Sequence, residues 1–313
     1  MPPAKTQQSK RISSQNRNNT PEVVDPVWLI KALGFSLAGA VVCGYLTRCF
    51  LFYQGSWQLL LHPVRTISQT PATLKVPYTD IRFGSSETGQ PRLTAWWIPA
   101  EPENGLKARY SALTVLYLHG GSGSLSSTVP TLAQLHHAGL NIFAIDYRGF
   151  GASDASAHPS EARMTEDVAA AFDYLTATRH IAIEDIIPYG TGLGASLAAR
   201  LAMQHPRIPA VILDNPDPDP TSTAAAQSSR LIPARFLLGS PFAIASSIST
   251  LPAPKLLIAG GANARTERND LSRIEALFRK ASSPTFTVTL PADSDSGYQT
   301  SLQRFVDQYV STK

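Results

Sequence analysis

"IIPYGTGLGASLAARLA", residues 186–202, is the stretch on which the reading of the whole chain turns. An apolar run ends at Gly190, a turn with glycine at every second position follows, and a helix of small residues begins. This is the outline of a strand, a sharp elbow and a helix that presents a nucleophilic serine in the pattern Gly-x-Ser-x-Gly. Here the middle position is Gly192, which has no side chain. The turn lacks the Lys-Ser/Thr of a phosphate loop and the three-glycine spacing of a dinucleotide fingerprint. A helix start follows it all the same, and such an end attracts anions. Pro188 stands out in a strand expected to be central, because proline removes a ladder donor.

Outward from this stretch, apolar runs alternate with helical patterns. "ALTVLYLHG", "NIFAID", "EDIIPYG", "PAVILDN", "PKLLIAGG" and "TFTVTLP" read as strands. Between them "TLAQLHHAGL", "TEDVAAAFDYLTATR", "ASLAARLAMQ", "ERNDLSRIEALFRK" and "YQTSLQRFVDQYV" read as helices. "LKVPYTDIRF" and "RLTAWWIPA" add two strands joined by the turn "GSSETGQP". Continuous apolar strands alternating with helices imply an α/β domain, a mostly parallel sheet of about eight strands covered on both faces. Residues 215–250 are rich in Pro, Ala and Ser and long for a connection, which suggests a lid.

The N-terminal part is of another kind. Residues 1–26 are polar with almost no apolar periodicity and are expected to be disordered. Residues 27–53 follow as an expected transmembrane helix, uncharged from Ala32 to Thr47 and bracketed by Lys31 and Arg48. A cleaved signal peptide and a soluble core helix are the alternatives, and no clean small-x-small cleavage site follows the apolar core. The excess of cations before the span puts the N-terminus in the cytoplasm and the domain of residues 54–313 outside it.

The chain has 313 residues and a formal charge of +4. Residues 1–50 hold Lys5, Lys10, Arg11, Arg17, Lys31 and Arg48 against Glu22 and Asp25, so that segment accounts for the whole excess. The remainder is balanced, which argues against a nucleic-acid surface. Cys43 and Cys49 both fall at the apolar segment, so no disulfide framework exists in the globular part.

From about Gln54 to the C-terminus the chain resembles the α/β-hydrolase family. "LYLHGGSGS" (116–124) is similar to the loop that gives an oxyanion-hole amide, "DYRGFGASD" (146–154) to an Asp-x-Arg-Gly-x-Gly-x-Ser turn, and "GTGLGASLA" (190–198) to the nucleophile elbow. "KLLIAGGAN" (255–263) is similar to the strand that leads to the acid. The apolar segment followed by "QGSWQLLLHP" and "AWWIPA" resembles the branch with one N-terminal membrane helix, related to serine aminopeptidases and dienelactone hydrolases.

The resemblance implies acyl transfer by Ser, Asp/Glu and His in that chain order. None of the three is present. Gly192 holds the nucleophile position and offers nothing to acylate. Asn263 stands in the place of the acid, and in a serine protease that Asp-to-Asn change lowers kcat by about 10⁴-fold. Ser294 falls where the base should follow "TLP", and no histidine occurs after His205. Ser196 belongs to the first helical turn and not to the elbow apex. His119 reads as a structural member of its turn, and Asp146 and Arg148 as pins of the next one. No His, Cys or carboxylate cluster has metal-ligand spacing, so neither metal nor cofactor is expected, "DNPDPDP" (214–220) included. The backbone amides of Gly121 and Leu193 remain as a vestigial oxyanion hole. The leading expectation is a membrane-anchored, catalytically silent hydrolase homologue that binds a small apolar or acyl ligand or a protein partner. An active serine-type hydrolase with another constellation and a purely structural domain are the rivals.

Overall fold

A computed structural model describes residues 25–85, 89–101, 110–156, 158–261, 268–291 and 295–310. The chain divides into two compact units, residues 1–50 and 51–313. Helix α1 runs over Pro26–Gly55. The helical stretch Pro26–Leu59 has a mean hydropathy of 1.8, long and apolar enough to cross a membrane or to act as a signal sequence. Its large apolar side chains, Trp28, Leu33, Phe35 and Leu37 among them, are exposed. The polar tail before it lies, apart from Asp25 and Pro26, outside the described residues.

The second unit is built on one eight-stranded sheet. Its strands are β1 (Thr79–Ser85), β2 (Pro91–Ile98), β3 (Thr114–Leu118), β4 (Asn141–Asp146), β5 (Ile186–Thr191), β6 (Val211–Asp214), β7 (Lys255–Gly260) and β8 (Thr285–Leu290). The spatial order is β8-β7-β6-β5-β3-β4-β2-β1. β2 runs antiparallel to both β1 and β4, and every other pair is parallel.

Side chains alternate across the sheet, so each central strand feeds two cores. Leu116, Leu118, Phe143 and Ile145 face Met164 and Val168 of α3 (Glu161–Asp173) and Leu197 and Leu201 of α4 (Gly194–Gln204). Val115, Tyr117, Ile142 and Ala144 face Leu132 and Leu135 of α2 (Val129–His137) and Leu302 and Phe305 of α9 (Asp295–Tyr309). Strands buried on both faces have no polar side to show, which is why they read as unbroken apolar runs.

Pro188 is accommodated by register. It pairs with Leu116 of β3, but the ladder to β6 begins one residue later, at Tyr189 opposite Ile212. A missing donor at Pro188 therefore breaks no bond to β6. The long connection after β6 carries three short helices, α5 (Pro220–Ala226), α6 (Ala234–Leu238) and α7 (Ala245–Thr250), before β7. Helix α8 (Arg268–Phe278) then leads to β8.

Lys255 opens β7 with its side chain fully buried, and its Nζ donates to Ala253 O at 2.9 Å. Burial lowers its pKa from 10.5 to about 8. Below pH 8 both folded and unfolded chains hold the proton, and the fold bears the whole cost of a buried ammonium. From about pH 8 to 10.5 only the unfolded chain keeps it, so stability rises with pH across that window. Lys255→Met is expected to raise unfolding free energy at pH 7 by about 1–3 kcal/mol and to flatten that rise. Denaturant titrations at pH 7 and pH 9.5 check both effects.

Candidate active site

The elbow has the geometry of a nucleophile turn. β5 ends at Thr191, Gly192 takes the left-handed conformation with φ of +54°, and α4 starts at Gly194. The flanking glycines are there for space. A Cβ on Gly190 would fall inside the contact distance of Gly194 O and Ala195 Cα, and one on Gly194 would overlap Leu118 O and His119 O. The helix start is thus seated hard on the ends of β5 and β3. Gly192 is different, since a Cβ there would meet only Gly120 Cα, at 3.7 Å. The apex has room for a side chain and carries none. Ser196, which is buried, donates its Oγ to Leu193 O at 2.8 Å and serves the helix start.

The loop after β3 comes down beside the elbow. A Cβ on Gly121 would press on Leu60 O and lie 2.7 Å from Leu193 Cδ1, so Gly121 and Leu193 are neighbours. The backbone N–H groups of Gly121 and Leu193 meet no acceptor among the described residues. The His119 Nδ1–H donates to Gly120 O at 2.7 Å, and its Nε2 lies 3.4 Å from Asp146 Oδ1, both side chains being buried. Tyr147 donates its hydroxyl to His119 O at 3.1 Å. The imidazole is packed against Tyr147 and Phe150, which fixes the loop.

The second turn is a structural pin. Asp146 accepts from Leu125 N at 2.9 Å. Arg148 reaches Asp167 with Nε at 2.6 Å and Glu166 with Nη2 at 2.6 Å, and also donates to Arg163 O. Its bonds run into α3 and not into the cleft.

A cleft of about 630 Å³ stands over Gly192. Gly120, Gly121, Gly192 and Leu193 form its base, and Leu59, Leu60 and Pro130 give it an apolar side. Asp214, Asn215 and Asp217 line it after β6, and α5 adds Thr223 with Gln227 just beyond it. Burial raises the pKa of Asp217, against hydrogen bonds from Asp219 N–H and the Thr223 hydroxyl.

Asp214 anchors a buried polar network that sequence reading missed. Its carbonyl accepts from Gly192 N at 3.0 Å, which ties β6 to the elbow. Its carboxylate accepts from the Tyr189 hydroxyl and from Asn215 Nδ2, each at 2.7 Å. Tyr298 donates to the Tyr189 hydroxyl at 3.1 Å, and Tyr117 stacks on Tyr189 with ring centroids 5.1 Å apart. Burial holds all three tyrosine pKa values above the usual phenol value, so they remain donors. Two further groups meet at the cleft rim, where Ser122 Oγ lies 3.4 Å from His62 Nδ1. They face each other because His62–Pro63 pairs in parallel with Ser122–Gly123.

Asn263 and Ser294 lie outside the described residues. Among the described residues, no three His, Cys, Asp or Glu side chains gather as a metal site.

Comparison with known proteins agrees with this architecture. Residues 114–239 match the model of the alpha/beta hydrolase fold family. The chain is 29% identical over 196 residues to the alpha/beta hydrolase domain-containing protein WAV2 of Arabidopsis thaliana, covering 60% of this chain and 59% of that protein. It is 29% identical over 250 residues to the YfhR protein of Salmonella typhimurium, covering 71% of this chain and 79% of that one. The chain therefore spans less than two thirds of the length of WAV2. Among solved structures it is similar to the Pyrococcus furiosus esterase Pf2001, with a TM-score of 0.58 at 18% identity, over 80% of this chain and 99% of that one. Sheet order, elbow, cleft and these likenesses together give the chain the α/β-hydrolase fold.

Proposed function

We propose that this protein is a membrane-anchored α/β-hydrolase-fold binding protein, whose cleft above Gly192 takes a small acyl-type ligand or a partner's side chain without cleaving it. The observation that carries this reading is the vacant elbow apex. Gly192 keeps the backbone conformation of a nucleophile and has no oxygen to attack with. Asn263 and Ser294 at the other two triad positions add no acid and no base. The free amides of Gly121 and Leu193 then serve as donors to a ligand carbonyl or carboxylate oxygen, a remnant of an oxyanion hole. Leu59, Leu60 and Pro130 receive its apolar part. The excess of cations before the span supports a tail in the cytoplasm and a domain outside it.

The test is ester turnover and serine labelling. Purified full-length protein is expected to hydrolyse p-nitrophenyl acetate and butyrate no faster than its Gly192→Ala variant, and to stay unlabelled by a fluorophosphonate. Acyl-type ligands are expected to raise its melting temperature, as any ligand that binds only the folded state does. Turnover well above that control would end the non-catalytic reading.

One observation favours a second reading, an active hydrolase with a relocated nucleophile. Ser122 and His62 form a hydroxyl–imidazole pair at the cleft rim, one residue from the free Gly121 amide. Fluorophosphonate labelling abolished by Ser122→Ala and weakened by His62→Gln would establish it. The contact is long at 3.4 Å, and both residues are solvent-exposed. No carboxylate that orients the His62 ring is found among the described residues, which favours the first reading.

A further inference from the structure

The most exposed large apolar side chain among the described residues is Phe236, at 86%, above any in α1. Leu231, at 73%, precedes it by five residues. Both stand at the tip of the connection between β6 and β7, with Pro233 also exposed between them. Two large apolar side chains this exposed within six residues of sequence are the kind of feature that marks an interaction surface.

Cations predominate in the sequence around this tip, and the one carboxylate near them, Asp219, faces Arg235 across the Ser222 hydroxyl. Arg230 and Arg235 flank the apolar residues, and both are exposed. From Pro220 to Thr266 the sequence contains no aspartate or glutamate at all. The nearest carboxylate before the stretch, Asp219, caps the start of α5 by accepting from Ser222 N at 2.9 Å. The tip is fastened to the wall of the cleft. Thr221 Oγ1 of α5 donates to Gly239 O at 2.9 Å, and Arg235 of α6 donates to Ser222 Oγ of α5. Thr223 and Gln227, at the other side of this two-helix unit, line the cleft.

We infer that Leu231 and Phe236 insert into the surface of an anionic lipid bilayer, with Arg230 and Arg235 on its headgroups. The inference rests on reading α1 as a membrane span. That span is what selects lipid over a protein partner, because it brings a bilayer to every copy of the chain. Two apolar side chains and two cations make a weak interfacial site for a free protein. Tethering changes the arithmetic, since an attached site works at an effective concentration near the millimolar range. The contact would then act on the cleft through the bonds between α6 and α5.

The test uses the full-length chain with Cys43→Ser and Cys49→Ala, carrying one nitrobenzoxadiazole label through either Ser229→Cys or Met203→Cys. Position 229 adjoins the tip, and position 203 is an exposed apolar site on α4. The protein is reconstituted in phosphatidylcholine vesicles, with and without phosphatidylserine, containing lipids with doxyl-labelled acyl chains. Quenching at 229 is expected to exceed that at 203 by at least about two-fold and to grow with phosphatidylserine. Leu231→Glu with Phe236→Glu is expected to remove the difference while leaving thermal unfolding unchanged. Equal quenching at the two positions, or quenching that survives the double substitution, overturns the inference. A spectral shift that follows protein concentration and not lipid assigns the tip to a second copy and overturns it too. An alkaline carbonate wash separates the underlying reading: a chain released into the supernatant has no membrane span, whereas a retained chain with an unquenched tip refutes the lid contact alone.

Discussion

Alanine at Gly190 or Gly194 is expected to cost about 3 kcal/mol or more and to leave little folded protein, whereas Gly192→Ala is expected to cost only about 1–2 kcal/mol. The three glycines alternate in one short turn, yet they answer to different constraints. At 190 and 194 the added methyl group runs into backbone atoms, Gly194 O and Ala195 Cα in one case and Leu118 O and His119 O in the other. Backbone cannot rotate away as a side chain can, so α4 would have to lift off β3 and β5. At 192 the methyl group meets only Gly120 Cα at 3.7 Å, and the cost is the left-handed φ of +54°. Denaturant unfolding of the three single variants reads the difference. Equal tolerance at all three positions would mean that α4 does not sit this close to the sheet.

On the proposed non-catalytic reading, building a triad at Gly192, Asn263 and Ser294 is expected to be strongly non-additive. Gly192→Ser alone should give at most a few-fold gain in p-nitrophenyl acetate hydrolysis, because on that reading no base takes its proton. Gly192→Ser combined with Asn263→Asp and Ser294→His should exceed the single variant by at least about 10²-fold, since triad members act as a unit. The scaffold for such a gain is present in the room at the apex and the two free amides. The measurement pairs initial rates with thermal unfolding, because Ser at a left-handed position carries its own stability cost. A folded triple variant no faster than the parent would mean that the amides of Gly121 and Leu193 do not converge on a carbonyl oxygen. A purely structural role for the domain would then be preferred.

Much of the fold was legible because its central strands are buried on both faces and appear in the sequence as apolar runs between helical patterns. β8 at the edge was legible in another way, since "TFTVTL" alternates Thr with apolar residues and only Leu290 in it is buried. β1 was harder. "LKVPYTDIRF" reads as one strand, but Leu74 ends a short helical turn and Lys75 turns left-handed at φ of 59°, so the strand begins at Thr79. The elbow glycines were legible because steric demands at close approaches are local. The network below them was not. Tyr189 and Tyr298 are 109 residues apart, one within an apolar strand and the other on an amphipathic helix, and each passes for an ordinary core residue. Asp214 closes such a run and reads as the polar end of a strand. The pairing of His62 with Ser122 depends on a bridge two residues long, too short to leave a periodic trace.

Asn215 gives the cleft a property that no single contact describes. It sits left-handed at φ of +45°, and its side-chain amide continues the β6–β7 ladder one step beyond Asp214. Nδ2 donates both to Asp214 Oδ1 at 2.7 Å and to Gly260 O at 2.9 Å, while Oδ1 accepts from Gly260 N at 2.8 Å. Asp214 O in turn accepts from Gly192 N. The Asn215 carboxamide thus joins the ends of β6 and β7, and the backbone bond at Asp214 joins them to the elbow after β5, so three strand ends under the cleft are tied to one another. A ligand pressing on Gly192 pushes against three strands at once.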